Sequence, residues 1–299
     1  MIENPSILIF DTTLRDGELT PGVHFTRENK VKIAQQLEEM GVDTIEVGYP
    51  GTYTKDIDDI IAVSQVIKNS TICALAGSQE AEIQQAAKAL EKVEKSCINI
   101  YTLVNLNSSS KNVDKNSVLS TIHQHISQAK NYCHQVQWTA FDATRSEINF
   151  LGEAVQMAIE SGAKIISIPD SLGVAEPEDF YHLLENLYQN IPRLQQVTVS
   201  VHCHDDFGKA VENSLLGLDL GVRQIECAVN GLGARKGNAN LGEIIDKIKY
   251  HQSYYTSINS DFIPKISELI NKIRAQNFCT QKLANCRKFY TIRRIVEDH

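Results

Sequence analysis

The chain has 299 residues, ample for a sizeable core and close to the roughly 250 of a single eight-stranded α/β barrel with an extension. Its composition, 42% hydrophobic and 22% charged, is that of an ordinary globular protein, and a formal charge of -8 argues against nucleic acid as a partner. No segment approaches the roughly 18 apolar residues of a membrane span, the acidic N-terminus lacks a signal-peptide pattern, and the cysteines (Cys73, Cys97, Cys133, Cys203, Cys227, Cys279 and Cys286) contain no C-x-x-C pair, so a reduced, cytoplasmic protein without membrane contact is expected.

Short apolar runs alternate with amphipathic stretches, the pattern of a parallel sheet wrapped by helices. The first run predicts a strand near 7–11; Thr26 then precedes a stripe of Val31, Ile33, Ala34, Leu37 and Met40, which predicts a helix at 27–40 ended by Gly41. Strand 43–48 leads to helix 54–68, strand 71–75 to helix 79–93, strand 97–103 to helix 114–132, and strand 135–139 to helix 147–161. Strands 164–168, 197–202 and 223–228 are followed by helices 176–190, 208–219 and 241–251, and Gly162 and Gly221 repeat the helix-ending role of Gly41. Eight such pairs predict a closed (β/α)8 TIM barrel, assigned to residues 1–255, with a C-terminal helical extension at 256–299. Within the extension a helix is expected near 261–276, followed by a basic tail through Lys282, Arg287, Lys288, Arg293 and Arg294. The polar stretch Asn105–Ser110 reads as a mobile loop at the catalytic face or as a plain surface loop.

The chemistry concentrates at strand ends. In His202-Cys203-His204-Asp205-Asp206 the two imidazoles share one face of a strand while Cys203 leaves by the other, so they can chelate a divalent metal; a solvent-facing polar pair is the plainer alternative. Far upstream, Arg15 and Asp16 follow the first strand and could hold an anionic substrate and a metal together. Glu46, Thr139, Asp170, Ser171 and Asn230 also sit at strand ends, where active sites of such barrels lie.

Several ordered motifs carry a family resemblance: Asp11-Thr-Thr-Leu-Arg-Asp-Gly17 with Thr20-Pro-Gly22, Ile45-Glu-Val-Gly-Tyr-Pro50, Ile168-Pro-Asp-Ser-Leu-Gly173, Val201-His-Cys-His-Asp-Asp-Phe-Gly208 and Asn230-Gly-Leu-Gly-Ala-Arg-Lys-Gly-Asn238. From residue 6 to about 250 the chain resembles the DRE-TIM metallolyases, and among them the 2-isopropylmalate, homocitrate and citramalate synthases. The resemblance implies that Asp16, His202 and His204, with Asn238 as a weaker ligand, hold Mg²⁺, Mn²⁺ or Zn²⁺. It also implies that Arg15 is catalytic and binds substrate, that Glu46 orients the groups around the metal, and that Thr139, Asp170 and Ser171 contact a 2-oxo acid. Gly231-Leu-Gly233 with Arg235 and Lys236 reads either as a phosphate cradle or as the loop that delivers Asn238.

Three departures accompany the matches. Phe141 stands where the synthases usually carry a glutamate, Asn99 where they carry a histidine, and Ala234 where a Gly-Glu-Arg loop has its glutamate; the lyases' cysteine-containing loop near Ala234 is absent as well. The function implied is a metal-dependent Claisen-type acyltransferase joining an acyl-CoA, acetyl-CoA foremost, to a 2-oxo acid to give a 2-alkylmalate-type product, in the context of amino-acid biosynthesis. A retro-aldol or retro-Claisen lyase on the same metal is the alternative, as is a barrel subunit that borrows residues from a separate C-terminal chain. A homodimer is also implied.

Overall fold

The computed structural model describes residues 5–108, 113–251 and 253–278. Strands β1 (Leu8–Asp11), β2 (Thr44–Gly48), β3 (Thr71–Ala76), β4 (Ser96–Leu103), β5 (Gln135–Phe141), β6 (Ile165–Asp170), β7 (Thr198–Cys203) and β8 (Gln224–Cys227) pair in parallel in chain order, and β1 closes on β8. The period of two decides what lies on each side. In β5, Val136, Trp138 and Ala140 are buried toward the helices, while Gln137 crosses the interior to Glu226 and Thr139 and Phe141 line a cavity at the strand ends. Phe10, Cys73 and Cys97 form a small apolar cluster of their own, separate from the large core between strands and helices.

Around the barrel lie α1 (Arg27–Met40), α2 (Lys55–Ser64), α3 (Glu80–Leu90), α4 (Lys115–Ala129), α5 (Ile148–Ser161), α6 (Pro177–Asn190), α7 (Ala210–Leu216) and α8 (Leu241–His251). Thr26 closes a capping box with Asn29 at the start of α1, and Gly41, Gly162 and Gly221 adopt φ of 96°, 106° and 125° where the chain turns back into a strand. The predicted helices near 54–68 and 208–219 are longer than α2 and α7. The first ends at Ser64 in a turn closed by Val66 and Ile67 N–H groups on the Val63 carbonyl. The second stops at Leu216, and the chain turns over Gly217, whose carbonyl accepts from Leu220, Gly221 and Val222 N.

A ninth helix, α9 (263–278), packs on the barrel through the buried Ile266, Ile270 and Ile273. It takes Asn230 away from the strand-end group that sequence suggests: with φ of 57°, Asn230 turns outward, and its Oδ1 accepts a 2.6 Å hydrogen bond from Ser267 Oγ on α9. The loop read as either mobile or a plain surface loop is tied down over its first part, since Asn105 Nδ2 and Ser108 Oγ donate to Asp142 Oδ2 at 2.8 and 3.0 Å. Its remaining residues and the basic tail lie outside the described residues. No described helix is long and apolar enough to cross a membrane.

Candidate active site

The loop after β1 is folded by Asp11. Its carboxylate, pushed up to about 7 by burial, accepts from Thr13 N and Thr13 Oγ1 at 2.9 and 2.8 Å, and Thr13 Oγ1 in turn accepts from Val229 N beyond β8. This staple joins the first and last loops of the barrel. Arg15 and Asp16 follow it directly. Arg15 Nε donates to Glu46 Oε2 at 2.6 Å and Nη1 to Asp16 Oδ1 at 2.9 Å, so one guanidinium bridges β2 to the β1 loop. Burial works against that charge, yet Glu46 and Asp16 hold the Arg15 pKa above its ordinary value.

The other half comes from β7 and β8. His202 Nδ1 lies 3.0 Å from Glu226 Oε2, and His204 Nδ1 lies 3.2 Å from the Gly237 carbonyl. Both acceptors call for a proton on Nδ1, which turns the two Nε2 atoms toward each other at 3.3 Å. Two imidazole lone pairs at that separation need a proton or a cation between them. Without a cation the proton belongs to His202: against burial, Glu226 raises its pKa, while burial and the neighbouring His202 lower His204 to about 4. Asp16 Oδ2 approaches His204 Nε2 to 3.9 Å; burial would raise the Asp16 carboxyl, but Arg15 and the two histidines prevail and hold it at about 2.

Asn238 completes the group. Gly237, at φ of 104°, passes the Gly231 carbonyl so closely that a Cβ would lie 2.0 Å from its oxygen, and the turn that results delivers Asn238 beside Asp16. Asn238 Nδ2 donates to Asp16 Oδ2 and Thr12 Oγ1 at 2.8 and 3.0 Å, but its Oδ1 is buried without a hydrogen-bond partner. An orphaned carbonyl oxygen beside converging Nε2 and carboxylate atoms fits a divalent cation. One ligand atom each from Asp16, His202 and His204 lies within 4.8 Å of the others, compatible with metal–ligand bonds of about 2.1 Å.

The cavity over this group has a volume of about 640 Å³. Arg15, Asp16, His202, His204 and Glu226 line its floor, and Thr139, Ser171, Asn99, Phe141 and Ala234 line its wall. Asn99 is committed: Nδ2 donates to Glu46 Oε1 at 3.1 Å, and Oδ1 accepts from Thr139 Oγ1 at 2.8 Å. Ser171 Oγ accepts from Asp142 N at 2.9 Å, which leaves its hydroxyl proton able to reach a ligand. Phe141 is 41% exposed, with its ring 5.8 Å from that of Tyr101.

Asp170 does not join them. Its carboxylate accepts from Val174 N, Ala175 N and Thr144 Oγ1, folding the loop after β6, and it does not line the cavity. Alternation explains this: Pro169 and Ser171 face the barrel mouth, so the residue between them points the other way. In the phosphate-cradle alternative for Gly231–Gly233, the glycine N–H groups and Arg235 are already engaged. Gly231 N bonds the Ala228 carbonyl, Gly233 N bonds Thr20 Oγ1, and Arg235 pairs with Asp206.

Sequence reasoning missed Glu226. Buried on β8, it accepts from Gln137 Nε2, Ser167 Oγ and Ser200 Oγ at 2.9, 2.6 and 2.9 Å while it holds His202; burial would raise its pKa, but His202, with Ser167 and Ser200, holds it below the ordinary value. The signal was available, because Gln224 and Glu226 are polar residues two apart in a strand whose other face, Ile225 and Cys227, is apolar.

Residues 6–270 match the family model described as HMGL-like. The chain is 40% identical over 273 residues to a 2-isopropylmalate synthase of Aquifex aeolicus and 39% identical over 274 residues to one of Nitrosomonas europaea, covering 89% of this chain in each case. It spans about half the length of these curated relatives, 52% and 53%. Among solved structures, the HMG-CoA lyase of Bacillus subtilis has the same fold, with a TM-score of 0.77 at 19% identity over 92% of this chain and 96% of that one. With the family match running through all eight strands and the Asp16, His202 and His204 cluster they carry, the chain belongs to the HMGL-like family, the DRE-TIM metallolyases.

Proposed function

We propose that the protein catalyses a divalent-metal-dependent Claisen-type condensation of an acyl-CoA, acetyl-CoA foremost, with a 2-oxo acid, giving a 2-alkylmalate-type product. The observation that carries this is the floor of the cavity: two imidazole Nε2 atoms, the Asp16 carboxylate and the unsatisfied Asn238 Oδ1 converge beside a fixed guanidinium. Bound there, a divalent cation would act as Lewis acid on the oxo-acid carbonyl. Arg15, locked by Glu46 and Asp16, supplies a preorganised positive charge for the substrate carboxylate and for the oxyanion that grows on attack. Glu46 positions Arg15 and, through Asn99, the Thr139 hydroxyl, whose proton goes to Asn99; Ser171, which accepts from Asp142 N, keeps a proton to donate to the oxo acid from the wall. The identity of 39–40% over 273–274 residues to two 2-isopropylmalate synthases supports condensation over cleavage.

Incubating the purified protein with acetyl-CoA, a divalent cation and a panel of branched, linear and aromatic 2-oxo acids, while following thiol release, tests the proposal. Thiol release that requires one of these acids and vanishes in His204→Ala is the expected result. No release with any acid, or conversion of a hydroxy acid into a 2-oxo acid and acetyl-CoA instead, overturns it.

A further inference from the structure

A condensation of this kind needs a base for the α-proton of the thioester, and Phe141 occupies the position where the family resemblance expects a carboxylate. The polar groups of the floor are already committed to one another. On the wall beside Phe141, however, lies a chain of three oxygens that the assigned machinery leaves unused. Tyr101 Oη is 3.1 Å from Tyr49 Oη, and Tyr49 Oη donates to Glu82 Oε2 at 2.6 Å. Both tyrosines line the cavity, whereas Glu82, on α3, lies behind them.

The hydrogen-bond directions follow from the inventory of protons. Glu82 Oε2 accepts from Gly77 N and from Tyr49, so the single hydroxyl proton of Tyr49 goes to it, and Tyr49 must accept from Tyr101. Tyr101 therefore turns its oxygen lone pairs, not its proton, toward the cavity. Burial, reinforced by Glu82, raises the pKa of Tyr49, so this phenol stays neutral and acts as a conduit while the carboxylate is the proton reservoir. The cluster is accommodated by the backbone: a Cβ at Gly77 would lie 2.3 Å from Glu82 Oε2, 2.7 Å from Tyr49 Oη and 3.1 Å from Tyr101 Oη. Gly77 N also donates to Glu82 Oε2, at 2.6 Å.

The geometry points to Tyr101, Tyr49 and Glu82 as a proton relay that serves as the general base of the condensation in place of the carboxylate at position 141. In the step, the α-C–H bond of the acyl-CoA breaks and its electron pair forms the enolate. The proton goes to Tyr101 Oη as the Tyr101 hydroxyl proton moves to Tyr49 and that of Tyr49 moves to Glu82, which ends as a neutral carboxylic acid. Tyr101 is then the catalytic residue, and Tyr49 and Glu82 act through it. The inference rests on the condensation proposed above.

The test compares wild type with Tyr101→Phe, Tyr49→Phe and Glu82→Gln, using thiol release with the best 2-oxo acid. The exchange of acetyl-CoA methyl protons for deuterium is followed in parallel by NMR in heavy water. Each substitution is expected to lower kcat and the exchange rate by about 10²–10⁴-fold, the usual contribution of a general base, with KM for the oxo acid, cation affinity and Tm close to wild type. Glu82→Asp is expected to recover part of the loss. A structural role would instead move Tm and KM and leave exchange intact. Turnover in wild type with kcat and exchange unchanged in the variants overturns the relay alone. No turnover in wild type overturns the condensation and the relay together.

Discussion

On the β7–β8 side of the cavity, side chains are fixed by partners that dictate their direction: His202 by Glu226, His204 by the Gly237 carbonyl, and Asp16 by Arg15 and Asn238. On the β4–β5 side, an exposed phenyl ring and an asparagine stand where the family resemblance expects a glutamate and a histidine; Asn99 is tied to Glu46, and another carboxylate, Glu82, is set back behind Tyr49 and Tyr101. The first wall is a rigid chelating surface and the second an aromatic one. Under the proposed roles, cation binding and proton transfer fall on different walls, and one can change while the other stays.

The sharpest way to break this comparison is to remove a ligand. His204→Ala should weaken divalent-cation binding by more than about 100-fold in calorimetry, beyond what the loss of a supporting partner causes, while Tyr101→Phe leaves it unchanged. Equal losses in the two variants would show that the walls are not separable. Next in size, Glu226→Gln should weaken cation binding by about 10–100-fold, because the amide no longer enforces Nδ1 protonation of His202. Wild-type affinity in that variant would reduce Glu226 to a packing group.

A smaller effect concerns protonation of the metal-free protein, read by NMR titration of the imidazoles. His204 should stay neutral down to about pH 4, while His202 keeps its proton above its ordinary value. A raised pKa means that the proton competes with the cation for His202, so cation affinity should rise with pH through the His202 titration; affinity independent of pH there would contradict the assignment. The smallest change is expected at Phe141→Glu. At 41% exposure the ring contributes little to folding, and thermal unfolding should change by no more than about 0.5 kcal/mol, with cation affinity kept. A large loss of stability would mean that the aromatic wall is part of the core.

The fold was legible because the alternation of apolar run and amphipathic stretch recurs eight times, and Gly41, Gly162 and Gly221 mark three of the helix ends. Element ends were less so: α7 stops early in a turn in which the Gly217 carbonyl collects the N–H groups of Leu220, Gly221 and Val222. At the site, His202 and His204 could be placed on one face by alternation alone, and the same rule, applied to Asp170 and Ser171, would have separated them. Glu226 was harder, since the polar pair Gln224 and Glu226 marks one face of a short strand, but its role emerges only when Gln137, Ser167 and Ser200 are seen to point at it from three other strands. The Tyr49–Tyr101–Glu82 chain was not legible at all, because its members come from three segments and meet through side-chain tips across the room left by Gly77.

The Glu226 carboxylate has a further consequence for assembly. It sits on β8 and collects donors from β5, β6 and β7, so a slip of any of these strands by one residue would turn a donor toward the helices and leave a buried anion short of a partner. Each lost donor would cost about 1–3 kcal/mol. Apolar strands tolerate such slips poorly but not absolutely, and here a single ionised group makes the penalty additive around half the circumference. The residue that aims an imidazole thereby also discriminates among ways of closing the barrel, so the chelating surface forms only in chains whose sheet has been threaded in the right register.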